Sequence, residues 1–68
     1  MDKELKALLA NWRDLNEGLA PLGEQKVKMM LDWELEHERR VTVVERLHQR
    51  YNTLRVKRER EELMEAIK

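Results

Sequence analysis

Residues 5–22 read LKALLANWRDLNEGLAPL, and their apolar spacing decides the fold class. Leu5, Leu8, Trp12, Leu15, Leu19 and Leu22 recur at intervals of 3-4-3-4-3. That is the a/d pattern of a coiled-coil seam, and Leu9 widens the stripe. Trp12 falls on the seam and is expected in the core, its indole N–H reaching a partner at the edge. Asp2 and Glu4 stand where the positive end of a helix dipole favours anions. Gly18 reads as a left-handed stop, and Pro21 forbids smooth continuation. The pattern predicts a helix over about residues 2–17, with Leu19 and Leu22 plugging the end of the core from the turn.

Working outward, a second helix is expected from about residue 22 to 38. Val27, Met30, Leu31 and Leu35 form its main apolar face, while Met29 and Trp33 lie one turn apart on nearly the opposite side. Thr42-Val-Val-Glu45 matches the capping box, in which the threonine oxygen and the glutamate carboxylate satisfy free N–H groups at a helix start. The match places a reversal near His37–Val41 and a long helix over about 42–67. No Gly or Pro helps that reversal, so a continuous or kinked helix from about 23 to 67 is the rival course. Val44, Leu47, Tyr51 and Leu54 continue the stripe with Val43 on its flank. Beyond them Arg58 and Glu61 take the a/d positions, and Val56, Leu63 and Ile67 fall on a face rotated by about 160°. A helix over 42–67 is roughly 39 Å long against roughly 24 Å for residues 23–38, so its last third overhangs any partner within the chain.

Charge follows the same division. Residues 39–60 hold eight basic side chains against two acidic ones, whereas residues 1–38 hold five against nine. The total is zero. A cationic stretch of this kind attracts nucleic acid, an acidic protein or a second copy of the chain. The nucleic-acid reading rests on Arg46, Arg50, Arg55, Lys57 and Arg58, clustered cations that would release counterions from phosphates. Against it, Arg55/Glu59, Lys57/Glu61 and Arg58/Glu62 are i,i+4 pairs that neutralise one another, and no aromatic side chain interrupts residues 55–62 for base stacking.

Composition narrows the remainder. Sixty-eight residues make one domain at most, of a size that usually needs a disulfide, a metal or a partner subunit. There is no cysteine, which excludes disulfides and fits a reducing compartment. No apolar run approaches the roughly 20 residues of a membrane-spanning helix. Residues 1–12, MDKELKALLANW, mix acids into the positions of a targeting segment, so a soluble, cytoplasmic protein is expected. Serine is missing, neither Thr42 nor Thr53 has a triad context, and Gly18 and Gly23 form no phosphate-cradling loop, so neither enzyme activity nor a cofactor is expected. Glu34-Leu-Glu-His37 and Glu45-Arg-Leu-His48 repeat the Glu-x-x-His spacing of carboxylate di-metal bundles, which aims two ligands inward from one turn. Glu34 lies in the apolar sector of its helix, but Glu45 lies about 140° from the apolar face of its own, and metal binding is not expected.

The expected molecule is all-α: a small antiparallel helical hairpin or three-helix unit with coiled-coil character, completed as a bundle by homodimerisation. In length, composition and lack of catalytic residues it resembles the small helical accessory proteins of bacteria and their phages, a likeness that rests on no motif and implies only a class of role. That role is a non-enzymatic adaptor or inhibitor binding another protein, possessing an acidic surface where it meets the cationic stretch. The expected contact residues are Met29, Trp33, Val56, Arg58, Leu63, Met64 and Ile67, with exposed Trp and Met serving as interface anchors. Two other roles fit the same chain: a nucleic-acid-associated helical dimer, and an architectural subunit of a larger assembly such as a virion.

Overall fold

The computed structural model describes residues 1–68 and contains helices only: α1 (Lys3–Leu9), α2 (Trp12–Leu19), α3 (Glu24–Glu36) and α4 (Val41–Ala66). No helix is long and apolar enough to cross a membrane.

The single helix expected over residues 2–17 is broken in two. Asn11 is extended, and its side-chain oxygen accepts from the Arg13 N–H at 2.9 Å and the Asp14 N–H at 3.2 Å. Asparagine competes well for free N–H groups at a helix start, so it closes α1 and opens α2. The break interrupts the leucine seam. Leu5 and Leu9 are buried from α1 and Leu15 and Leu19 from α2, while Trp12, expected in the core, is 53 % exposed. Gly18 is not the left-handed stop either; no glycine has a positive φ, and α2 runs on to Leu19. Its role is close approach. A Cβ on Gly18 would sit 2.6 Å from Leu8 Cδ2 across the α1–α2 contact.

From Gly23 onward the chain forms an antiparallel pair of helices. Glu24 at the start of α3 meets Arg58 far along α4, Lys28 lies over the Tyr51 ring, and Glu34 near the end of α3 meets Arg40 at the start of α4. These partners nest, as antiparallel neighbours must. The core sits where α1 and α2 lie against this pair: Leu5, Leu9, Leu15, Leu19, Val27, Met30, Leu31, Val43 and Leu47, with Leu22, Val44, Tyr51 and Leu54 packed at its edge. Leu35, expected on the core face of α3, is 49 % exposed, and Glu34 is the residue buried there.

Burying a carboxylate is costly unless it is paired and hydrogen-bonded. Glu34 is fully paired. Its Oε2 accepts from the Arg40 backbone N–H at 3.0 Å and from Arg40 Nε at 2.9 Å, and its Oε1 accepts from Arg40 Nη2 at 2.8 Å. Its own carbonyl accepts the Arg39 N–H at 2.8 Å. Arg39 takes φ 55, the left-handed conformation usually left to glycine, which is how the chain turns without one. The Thr42–Glu45 capping box does not form. Arg40 is the N-cap residue, with no side-chain cap of its own, and Thr42 already lies inside α4. A carboxylate from α3 accepts the backbone N–H of the N-cap residue, the part that the box assigns to Glu45.

Arg40 Nη2 also donates to the carbonyl of Leu9, the last residue of α1, at 2.9 Å. One ion pair therefore ties three helices. The Arg40 hydrogen bonds hold the Glu34 carboxyl below its ordinary value of 4.5, against the opposing effect of burial. The stabilisation from this lowered pKa is fully present above 4.5 and is lost as pH falls through the folded value beneath it. Glu34→Gln is expected to remove this share of the acid sensitivity in denaturant titrations at stepped pH. Arg40→Ala, which strands the carboxylate, is expected to cost about 3 kcal/mol, the lower end for a buried pair because Arg40 keeps one side to solvent. An unchanged denaturation midpoint for Arg40→Ala would refute this role.

Candidate interaction surface

The long helix outruns its partners. At about 1.5 Å per residue α4 is about 39 Å long and α3 about 20 Å, and the whole molecule extends 44 × 19 × 19 Å. Arg58 marks where cover ends. It grips Glu24 with two bonds, Nε to Oε2 at 2.8 Å and Nη2 to Oε1 at 3.1 Å, and its Nη1 reaches Glu62 at 3.0 Å. Hydrogen bonding to Glu24 and then Glu62 raises the Arg58 pKa, and Arg58 in turn lowers that of Glu24. Arg58, expected to contact a partner, is thus a clasp within the chain.

From Val56 to Lys68 every residue is exposed. The side of α4 that continues the core face carries Arg58, which meets Glu24 at the start of α3, and beyond it the exposed Glu61 and Glu65. Apolar side chains reappear on the other side: Val56 is 38 % exposed, Leu63 65 %, Met64 53 % and Ile67 77 %. At about 100° per residue Val56, Leu63 and Ile67 share an arc of about 40°, and Met64 flanks it. A shallow groove along that flank is lined by Val56, Lys57, Arg60, Glu61, Met64 and Glu65 among others.

The other expected contact residues do not join this surface. Met29 is exposed on α3, but Trp33 is half-buried against the core and lines a crevice with Lys6, Leu9 and Ala10 at the end of α1. The His37 ring stacks on it at 4.3 Å between centroids and 12° between planes, with His37 Nδ1 2.8 Å from the Trp33 carbonyl. Trp33 is therefore covered, not the free anchor its place on the helical wheel implied. An apolar group that sequence reasoning missed surrounds the α3–α4 turn, where Leu35 and Val41 are exposed beside Val44. Assigning Leu35 to the core concealed it.

The five cations proposed for nucleic acid are not one free patch. Arg46 Nε donates to Asn16 Oδ1 at 2.7 Å, and Arg50 Nη2 donates to the Ala20 carbonyl at 3.1 Å, both fastening α4 to α2. Arg55 is engaged by Asn52 at 2.7 Å and Glu59 at 3.1 Å, and Arg58 by Glu24 and Glu62. Of the three i,i+4 pairs expected in this run, Arg55–Glu59 and Arg58–Glu62 form and Lys57–Glu61 does not. Arg55 also lies about 180° around α4 from Arg46. The inward arginines had a signal in the sequence, since Arg46 and Arg50 are one turn apart beside Val43 and Leu47.

Neither Glu-x-x-His pair assembles into a ligand set. Glu34 is committed to Arg40, Glu45 and His48 are exposed, and no group of three or more His, Asp or Glu side chains is placed to hold a metal ion. Comparison with known proteins adds no relative: no family model matches the chain, and neither a curated protein nor a solved structure shows significant similarity to it.

The division between fastening and free cations is measurable. Arg50→Ala removes a bond to a helix-end carbonyl and is expected to cost about 1 kcal/mol, a fall of about 4–8 °C in Tm for a domain of this size. Lys57→Ala, with no partner in the chain, is expected to stay within about 0.5 kcal/mol of the parent. Thermal melts followed by circular dichroism compare the two, and equal shifts would show that Arg50 does not fasten α2.

Proposed function

We propose that this protein is a non-enzymatic interaction protein, an adaptor or inhibitor that binds another protein chain through exposed helical surface and acts as a homodimer. The observation that carries the reading is the free end of α4, where Val56, Leu63, Met64 and Ile67 stand exposed on a helix that nothing in the chain covers. Exposed apolar side chains grouped on one helical face mark contact sites for partners, and an amphipathic helix is a common unit of recognition. Lys57 and Arg60 border the apolar arc without partners in the chain and favour an acidic counterpart. A nucleic-acid role draws less support, because Arg46, Arg50, Arg55 and Arg58 would each have to give up internal bonds to meet phosphates.

The test replaces the apolar arc. Leu63→Asp is expected to weaken association with the partner chain at least tenfold while helicity and Tm stay close to the parent, because the side chain has no core contact to lose. Circular dichroism, with affinity capture from host lysate by the parent and the variant in parallel, reads both effects. Partner sets that do not differ would overturn the reading, as would unfolding of the variant, which would make Leu63 a core residue. Duplex DNA binding with a steep salt dependence would favour the nucleic-acid role instead.

A further inference from the structure

We infer that one stripe of α4 is a seam for a helix of the partner protein, acidic opposite the inner part of the stripe and apolar opposite its tip; the inference rests on the interaction role proposed above and names the chemistry of the partner. Arg46, Arg50, Thr53, Lys57, Arg60 and Met64 follow one another at intervals of 4-3-4-3-4, and Ile67 adds a further interval of 3. That is the a/d spacing at which one helix lies along another. At about 100° per residue Arg46, Arg50, Lys57 and Arg60 share an arc of about 80°, and no Asp or Glu of α4 falls within it. Two shallow grooves follow the stripe. One is lined by Arg46, Gln49 and Arg50, the other by Lys57, Arg60, Met64 and Lys68 among others, and Asn52 and Thr53 belong to both.

The cations on this stripe are the ones whose charge the chain leaves uncompensated. Arg55, Arg58 and Lys68 are ion-paired with Glu59, with Glu24 and Glu62, and with Glu65. Arg46 and Arg50 are bonded to neutral acceptors of α2, Asn16 and the Ala20 carbonyl, so they keep those bonds and still project a positive field. Lys57 and Arg60 are exposed and have no partner in the chain. Carboxylates on a docked helix would meet Lys57 and Arg60 within the field of Arg46 and Arg50. Beyond Arg60 the seam turns apolar at Met64 and Ile67. Val56 and Leu63 stand on one flank, each a position before Lys57 and Met64, and Glu61 stands on the other. A nucleic acid matches only the inner part, since phosphates gain nothing from Met64 and Ile67 and are repelled by Glu61. A second copy of the stripe matches less, because the stripe holds no carboxylate to set against its own cations.

The probe is a synthetic helix of about three heptads, with glutamate at the seam positions that face Arg46 to Arg60 and leucine at those that face Met64 and Ile67. Its control has the same residues, with glutamate and leucine intermixed along the seam. Titration calorimetry with the full chain is expected to show the ordered peptide binding at least tenfold more tightly than the control. Lys57→Glu/Arg60→Glu and Met64→Asp are each expected to weaken that binding at least tenfold while Tm and helicity stay close to the parent, because none of these side chains packs in the core. Equal binding of the two peptides, or of the parent and either variant, would overturn the inference. So would displacement of the ordered peptide by duplex DNA, or a dimer by light scattering that the peptide cannot enter. A peptide that does not bind, with lysate partners that still depend on Leu63, removes the acidic seam and leaves the interaction role standing. The same failure with no such partners removes both.

Discussion

The Glu34–Arg40 pair is the constraint on which the remaining arrangement depends. Removing a carboxylate from water demands strong compensation, and here every compensating donor comes from a single residue six positions later. The donors are a backbone N–H and a guanidinium, so both the chain direction and the side chain of Arg40 are specified. That requirement forces the turn, and the turn places Arg39 in the left-handed region. The bond from Arg40 to Leu9 carries the constraint into α1. An apolar residue at position 34 would bury more cheaply, but it would name no partner. The ion pair trades stability for a defined geometry at the one corner where the sequence has neither glycine nor proline.

The separation of charge along the chain acquires a physical meaning from the same structure. A basic second half beside an acidic first half suggests a surface built to attract something outside. Part of that attraction is spent inside, in the Arg40–Glu34 and Arg58–Glu24 ion pairs, and other arginines of the basic half are taken up by neutral acceptors. Arg40, Arg46, Arg50 and Arg58 reach Leu9, Asn16, Ala20 and Glu24, successive points along the first half of the chain, in the same order. Two of the four acceptors are main-chain carbonyls at or just beyond helix ends, where unpaired oxygens and the negative dipole end welcome a cation. The arginines act as fasteners spaced along α4, and the apolar core between them can stay small.

How much of this was legible in sequence depended on whether a residue's meaning was local. The all-helical character was, because apolar spacing repeats at the helical period throughout. The shift of apolar side chains to a new face after Leu54 was also visible, and it coincides with the end of cover by α3. The split at Asn11 was missed, although asparagine with Asp14 three residues on is a recognisable helix start; the regular leucine spacing concealed it. Gly18 was read through its backbone freedom when its lack of a side chain was what mattered. Glu34 could not be read at all without Arg40 across the turn, and so it was weighed as a metal ligand. Trp12 and Trp33 exchanged their expected environments for one reason: the break before Trp12 turns that side chain outward, and α1 ends beside Trp33.

Because α4 passes without interruption from Val43 and Leu47 in the core to Leu63 and Ile67 at the tip, it fixes the angular phase between the two. One residue inserted or deleted between Leu54 and Leu63 would swing the outer face by about 100° and leave every core contact in place, whereas an insertion of seven would nearly restore its bearing. The length of that stretch, more than its composition, determines which way the molecule points what it holds.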